Sequence, residues 1–411
     1  MTPETALDIT QWVVSEGLKG SSETEILTGF CQRLVTEGMP LLRANLSQPT
    51  LHPIIGGHNF IWWRDEETAV EEDWQRSFSQ EGVKASRIPF SYMASENLWR
   101  MRHRLGPDEA PSEFPLLERI RVRGGTDYFA LGTAFGEVRR LGPADRVLSS
   151  WVSDASAGFD DHHIAVIEQL APPLALTVKS ASAYRIANSV IATYLGADAG
   201  RRVLGGEILR GTGETIRAAL WYCDLQGFTK IADTTPRDRL LGMLDDYFEC
   251  MVTTVHEHGG QVLKFMGDGL LAIFKGDPVA ESCDAALDAA DRVLGRIARV
   301  TAKRVGENLP VTGFRVALHL GDVMYGNIGA RDRLDFTVVG PAVNEVSRIE
   351  AMCRSLDQTL VISSAFAEAA GRSSDRLVSL GRYALRGVRR PQELFTLFTE
   401  EEDEAPISPP A

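Results

Sequence analysis

The chain has 411 residues, 44% of them hydrophobic and 24% charged, with 43 Lys and Arg against 56 Asp and Glu for a net charge of −13. That length exceeds one compact core and predicts two globular domains plus a connector, and the composition excludes a disordered or fibrous chain. The acidic balance argues against a general nucleic-acid binder, which needs a basic face.

Five scattered cysteines, Cys31, Cys223, Cys250, Cys283 and Cys353, include no C-x-x-C pair and read as buried thiols of a reducing compartment. The opening MTPETALDITQWVVSEG lacks the basic-then-apolar order of a secretory signal, and no stretch approaches the roughly 20 apolar residues of a membrane span. The expectation is a cytoplasmic protein with no membrane partner.

Residues 1–45 read as a helical segment, with Ile26, Phe30, Leu34, Leu41 and Leu42 near helical spacing. From Pro53 to Arg87, short apolar runs such as NFIWWR, broken by Gly-Gly and acids, predict strands and loops; RIRVRGG and TDYFALGTAF repeat that texture. Trp62 and Trp63 read as core in preference to a pocket lining. Asp160 to Leu195 is apolar at helical spacing and predicts a long helix, with Pro172 and Pro173 expected to kink or interrupt it. The pair His162-His163 at its start reads as a solvated turn in preference to a haem or metal contact. Here residues 46–180 resemble the small-molecule-sensing GAF type of domain, in which a Phe-Asp-Asp-like step precedes a final helix leading to an output domain. Residues 181–215 follow as a helical linker, and its GADAGRRVLGGEILRGTGET stretch, rich in Gly and charge, fits a connector that changes geometry. A last domain is expected over 216–399, and EEDEAPISPPA predicts a disordered acidic tail over 400–411.

The chemistry lies in the last domain. RAALWYCD is a strand-like run ending in Asp224, and LQGFTKIAD follows at once, so a carboxylate stands beside a Gly turn and an opening helix, where backbone N–H groups meet phosphates. PRDRLLGMLDDYFECMVTTVHEHGG, with Pro at its start and Gly-Gly at its end, predicts a helix. QVLKFMGDGLLAIF then reads as a hairpin with Asp268 at its tip, lying beside Asp224. Two facing carboxylates repel, and divalent cations remove the conflict. The alternative is a capping Asp224 and a turn Asp268 without further role.

Asp224-Leu-Gln-Gly-Phe-Thr, Lys264-Phe-Met-Gly-Asp268-Gly and Thr337-Val-Val-Gly-Pro-Ala-Val-Asn344-Glu-Val-Ser-Arg348, in this order and spacing, resemble the class III nucleotidyl cyclases. The resemblance implies an α/β (α+β) ferredoxin-like catalytic domain with a mostly antiparallel central sheet, making cyclic AMP from ATP. It implies two Mg²⁺ or Mn²⁺ ions on Asp224, Asp268 and the Leu225 carbonyl. Phe228 and Thr229 fall in the substrate-binding turn. Lys264 and Thr337 fall where the base is read; a Lys with an Asp or Thr is typical of adenylate-forming members, whereas guanylate-forming ones typically carry Glu and Cys. An ammonium donor and a hydroxyl suit adenine's ring-nitrogen acceptor and exocyclic amine. Asn344 and Arg348, four apart on one helix face, match the ribose-orienting and phosphorus-stabilising residues. Arg386, in Ala-Leu-Arg-Gly, stands where many members have a phosphate-binding Lys; a surface strand residue is the alternative. Because the family divides these roles between two subunits, a homodimer with shared sites is implied, and the N-terminal domain leaves room for a small-molecule or protein regulator. His319, in VALHLGD, reads as a core or interface histidine. A nucleotide-binding adaptor without turnover would lack a metal Asp or the Arg, and neither is missing.

Overall fold

The first helix, α1 (Pro3–Lys19), starts where the Thr2 side chain caps Thr5 N–H with Pro in the first turn, and ends at Gly20 in the left-handed region. A reciprocal capping box between Ser22 and Glu25 opens α2 (Glu23–Thr36). The structure is a computed structural model that describes residues 1–75, 87–107, 109–135, 146–388 and 390–398, and the tail expected over 400–411 lies outside the described residues. The chain divides into two units between Val190 and Ile191.

In the first unit a six-stranded antiparallel sheet has the order β3-β2-β1-β6-β5-β4. Its strands are β1 (Leu41–Pro49), β2 (Ile55–Trp63), β3 (Val70–Gln75), β4 (Arg100–Arg104), β5 (Asp127–Ala134) and β6 (Arg146–Ser153). One face packs Phe60, Trp62, Phe129 and Trp151 against Val13 of α1, Phe30 of α2 and Leu170, Leu174 and Val178 of the long helix α5 (Asp161–Leu195). The other carries two short helices, α3 (Pro89–Ser95) and α4 (Pro115–Val122), over Tyr128 and Val152. Trp62 is in the core as expected, whereas Trp63, on the opposite face, is half-buried and lines a cavity.

Three local expectations shift. The first helical stretch stops at Thr36, and Leu41 and Leu42 belong to β1, because Gly38 turns the chain at φ 83° ahead of Pro40. RIRV is helical, not extended, with Leu117 and Ile120 buried three apart on one side of α4. Pro172 and Pro173 lie inside a continuous α5, whose Leu170, Leu174 and Val178 hold both sides of the Pro pair on one core. His163 bonds Asp160, closing the first turn of α5 as a solvated start.

The second unit opens with α6 (Ala197–Leu204) and β7 (Gly213–Gln226), then α7 (Phe228–Thr234), α8 (Arg237–Glu257), the hairpin β8 (Gln261–Met266) and β9 (Gly269–Phe274), α9 (Val279–Gly306) and β10 (Gly313–Gly329). This is a βαββαβ run with neighbours in the order β10-β7-β9-β8, all antiparallel, the ferredoxin-like arrangement. β11 (Leu334–Val339) pairs with β10; α10 (Pro341–Leu356), β12 (Leu360–Ser363), α11 (Ser364–Ala369), β13 (Leu377–Tyr383) and β14 (Gln392–Leu397) complete it, with β12 the one strand parallel to its neighbour β10 among the described pairings. Both faces of β7 are covered. Ala219, Trp221 and Cys223 face a core built with α8 and α9, while Ala218 and Leu220 face the α10 side with Val346 and Ile349. All five cysteines are buried and free. No helix among the described residues is long and apolar enough to cross a membrane.

Candidate functional site

Period-two alternation along β7 puts Asp224 on the same side as Ala218 and Leu220, the face that α10 covers. Its register partner on β10 is Arg315. The β8–β9 hairpin turns through Gly267 and Asp268, and Gly267 takes φ 69°, which a side chain resists. At Gly269 a Cβ would come within 2.6 Å of the Cys223 carbonyl oxygen and 3.3 Å of the Asp224 carboxylate, so a glycine there lets the turn close onto β7. The Asp268 carboxyl consequently faces that of Asp224.

This apposition is electrostatically costly. Burial, then the facing Asp268, pushes the Asp224 carboxyl up from 3.8 to about 6, while Arg315 pulls it down. A third acid, Glu350 of α10, joins them: burial and Asp224, then Asp268, push it up to about 7, again against Arg315. Tyr222, on the same strand face, is also pushed up, by burial and then by Asp224. Three carboxyl groups thus converge with Arg315 as the counter-charge acting on both Asp224 and Glu350. Oxygen donors crowded in this way suit a hard divalent cation. Glu350 and Arg315 escape a motif reading because each gains its meaning only when α10 and β10 are laid on β7.

The remaining predicted residues form a separate group. In α10, Ala342, Val346, Ile349 and Cys353 are buried, and at 100° per residue Asn344 and Arg348 lie roughly 40° apart on the opposite, solvent-facing side. Among the described residues no hydrogen bond or ion pair joins either to Asp224 or Asp268. Arg348 instead lies against Gly387, whose built Cβ would stand 3.3 Å from its guanidinium, which brings the exposed Arg386 to the same side. Arg386 is in a turn between β13 and β14, not in a strand. Lys264 on β8 reaches Asp335 of β11 at 3.4 Å. Two residues further along β11, Thr337 is 3% exposed, and its Oγ1 has no hydrogen-bond partner. Leu225 is buried, Phe228 packs on the α8–α9 core and Thr229 is exposed; both open α7 after Gly227 at φ 68°. His319 is buried, bonding Ser363 at 2.9 Å and facing Glu345 at 3.5 Å, and burial holds its pKa down; it is a core histidine.

The family described as the adenylate and guanylate cyclase catalytic domain matches residues 214–399. This part of the chain is a class III adenylate/guanylate cyclase domain. An uncharacterized protein of Mycobacterium tuberculosis is 34% identical over 185 residues, covering 44% of this chain and 33% of that one. The adenylate cyclase of Anabaena cylindrica is 30% identical over 157 residues, 37% of this chain and 30% of that one. The chain spans about a third of the length of the curated relatives it matches. Among solved structures, an adenylyl cyclase from P. aeruginosa is 22% identical with a TM-score of 0.42 over 47% of this chain and 100% of that one. A guanylyl cyclase is 28% identical with a TM-score of 0.41 over 47% and 96%. In this cyclase domain the acid cluster of β7, the hairpin and α10 is one group, and the α10 solvent face with β8 and β11 supplies the others.

Proposed function

We propose that the cyclase domain converts ATP to 3′,5′-cyclic AMP and pyrophosphate at sites shared between two copies of the chain. The observation that carries the reading is the facing pair Asp224 and Asp268 with Glu350 beside them, a carboxylate set short of positive charge. Asp224, Asp268 and the Leu225 carbonyl would hold two divalent ions, Mg²⁺ or Mn²⁺, whose chemistry is to neutralise phosphate charge and favour the ionised 3′-hydroxyl.

The chain's own residues do the rest by positioning and charge. Lys264, released from Asp335, donates to a ring nitrogen of adenine, and the partnerless Thr337 Oγ1 accepts from its exocyclic amine. Asn344 orients the ribose, Arg348 stabilises charge at the α-phosphorus, and Arg386 with the turn at Phe228 and Thr229 meets the phosphates. Asn344 and Arg348 face away from their own chain's acids, which supports completion of each site by a second copy. Residues 46–180 are read as a GAF-like sensory domain, and 181–215 as the linker that transmits its state.

The test is product identification after incubating purified chain with ATP or GTP and Mn²⁺ or Mg²⁺, beside an Asp224→Ala control. Cyclic AMP from ATP, reduced about 10³-fold or more in the control, is the expected result; cyclic GMP alone overturns the choice of base, and no cyclic product overturns turnover itself.

A further inference from the structure

The sheet face of the N-terminal unit that carries α4 holds an arrangement no part of the cyclase reading uses. Across it, Arg43 on β1 stands in register with Trp63 on β2 and Val152 on β6, and Val152 with Tyr128 on β5. Over Tyr128 and Val152 the face is closed by Leu117 and Ile120 of α4. Beside Arg43 and Trp63 it opens into a cavity of about 410 Å³, within the range of small-molecule sites.

The cavity wall is part apolar, from Ile61, Trp63 and Ile120, and part charged, from Arg43, Arg119, Arg123, Glu66 and Glu72. Arg43 is the unusual member. It is 3% exposed, and its Nη1 has no hydrogen-bond partner. No ion pair reaches it among the described residues. Burial, with Arg123 and Arg119 nearby, lowers its pKa to about 10 against the pull of Tyr128 and Glu72, so it remains charged at neutral pH. A buried guanidinium with no ion pair is costly even with the Trp63 ring 5.3 Å away, and a bound carboxylate would offset that cost. The other two arginines do not share this condition. Arg123 is spent on Asp65 at 3.0 Å and lies 3.6 Å from the centre of the Trp63 ring, fixing that ring as a wall, while Arg119 is exposed at the mouth. With Arg123 engaged by Asp65, Arg43 and Arg119 face Glu66 and Glu72 in a lining without net charge, and the apolar wall beside the two free guanidiniums suits a monoanion with an apolar body over a bare dianionic phosphate.

We propose that this cavity binds a small organic carboxylate with a planar apolar body, the carboxylate on Arg43 and Arg119 and the body against Trp63 and Ile61. The site lies wholly within the N-terminal unit and stands or falls independently of the cyclase reading.

The experiment is thermal unfolding and tryptophan fluorescence of the full chain with millimolar benzoate, indole-3-carboxylate or naphthoate, beside benzamide as the neutral isostere and inorganic phosphate. A saturable rise in Tm with at least one carboxylate, absent with benzamide and phosphate, is expected. Arg43→Met keeps the stem and removes the unpaired charge. It should unfold no earlier than the parent without probe, yet bind the carboxylate about tenfold or more weaker. Arg119→Gln, at an exposed position that leaves folding intact, should weaken it by about the same order. No shift with any carboxylate, an equal shift with benzamide or phosphate, or unchanged affinity in the variants that fold would overturn the proposal.

Discussion

Thr337 offers a separation of stability from recognition. A buried hydroxyl with no partner forfeits its hydrogen bond to water and gains none in the free protein. Thr337→Val keeps the branched shape, so the free protein should be as stable or up to about 1 kcal/mol more stable, checked by urea unfolding. Its preference for ATP over GTP, measured as a ratio of kcat/KM, should fall by about tenfold or more, because the acceptor for the exocyclic amine is gone. At Arg348 the balance reverses: the side chain lies on the solvent-facing side of α10, and Arg348→Ala should leave Tm nearly unchanged while lowering kcat by about 10²–10³-fold. Both residues are legible in the sequence because a motif carries them. Glu350 is not: two positions past Arg348 it sits on the flank of the buried stripe, and only the packing of α10 on β7 turns it toward Asp224 and Asp268.

Among the elements, α6 decides how the segment after residue 195 behaves. The Gly content of 196–215 predicts a pliable connector, but its first part is a helix fastened to the cyclase domain through Asp198, which bonds Lys275 and the Tyr325 hydroxyl, each at 2.9 Å. Burial works against the Asp198 anion, but those bonds prevail and bring its pKa from 3.8 to about 2. A depressed acid stabilises the fold above its unfolded pKa and loses that contribution as pH falls through the folded one. Asp198→Asn should therefore cost about 1–3 kcal/mol at neutral pH, with the gap to the parent closing as pH drops from 3.8 toward 2, read from urea midpoints across that range. The stretch that follows is also tied to β10, since Gly211 N–H donates to the Asn327 carbonyl at 2.9 Å, so the conformational demand falls on its left-handed glycines. Gly206 and Gly211 hold φ of 97° and 78° with open space around them, whereas Gly205 is right-handed at φ −74°. Gly206→Ala and Gly211→Ala should each lose about 1 kcal/mol and change the basal cyclase rate; Gly205→Ala should do neither. The β8–β9 hairpin is readable from sequence because a Gly-Asp turn between apolar runs is a local instruction. RIRV misleads for the opposite reason: its alternation mimics a strand, and burial of Leu117 and Ile120 against Tyr128 and Val152 decides for a helix.

At the scale of the molecule, the division of the candidate residues into two groups makes the oligomer testable by complementation. Asp224 lies under α10 with Asp268 and Glu350, while Asn344 and Arg348 point to solvent from the same helix, so one chain presents both halves but joins neither to the other. If each site takes its acids from one copy and its Arg from the next, Asp224→Ala and Arg348→Ala are each nearly inactive alone, because each homodimer has the same defect in both sites. Mixing them after dissociation places both lesions in one site of every heterodimer and leaves the other intact. With random re-pairing half of the dimers are mixed and each has one working site of two, so activity should return to about a quarter of the parent value. Product formation in the mixture, with dimer formation followed by sedimentation, reads this directly. Activity that stays at the sum of the two separate variants despite mixed dimers would mean that each chain completes its own site, and that Arg348 must reach Asp224 by a movement of α10 within one copy.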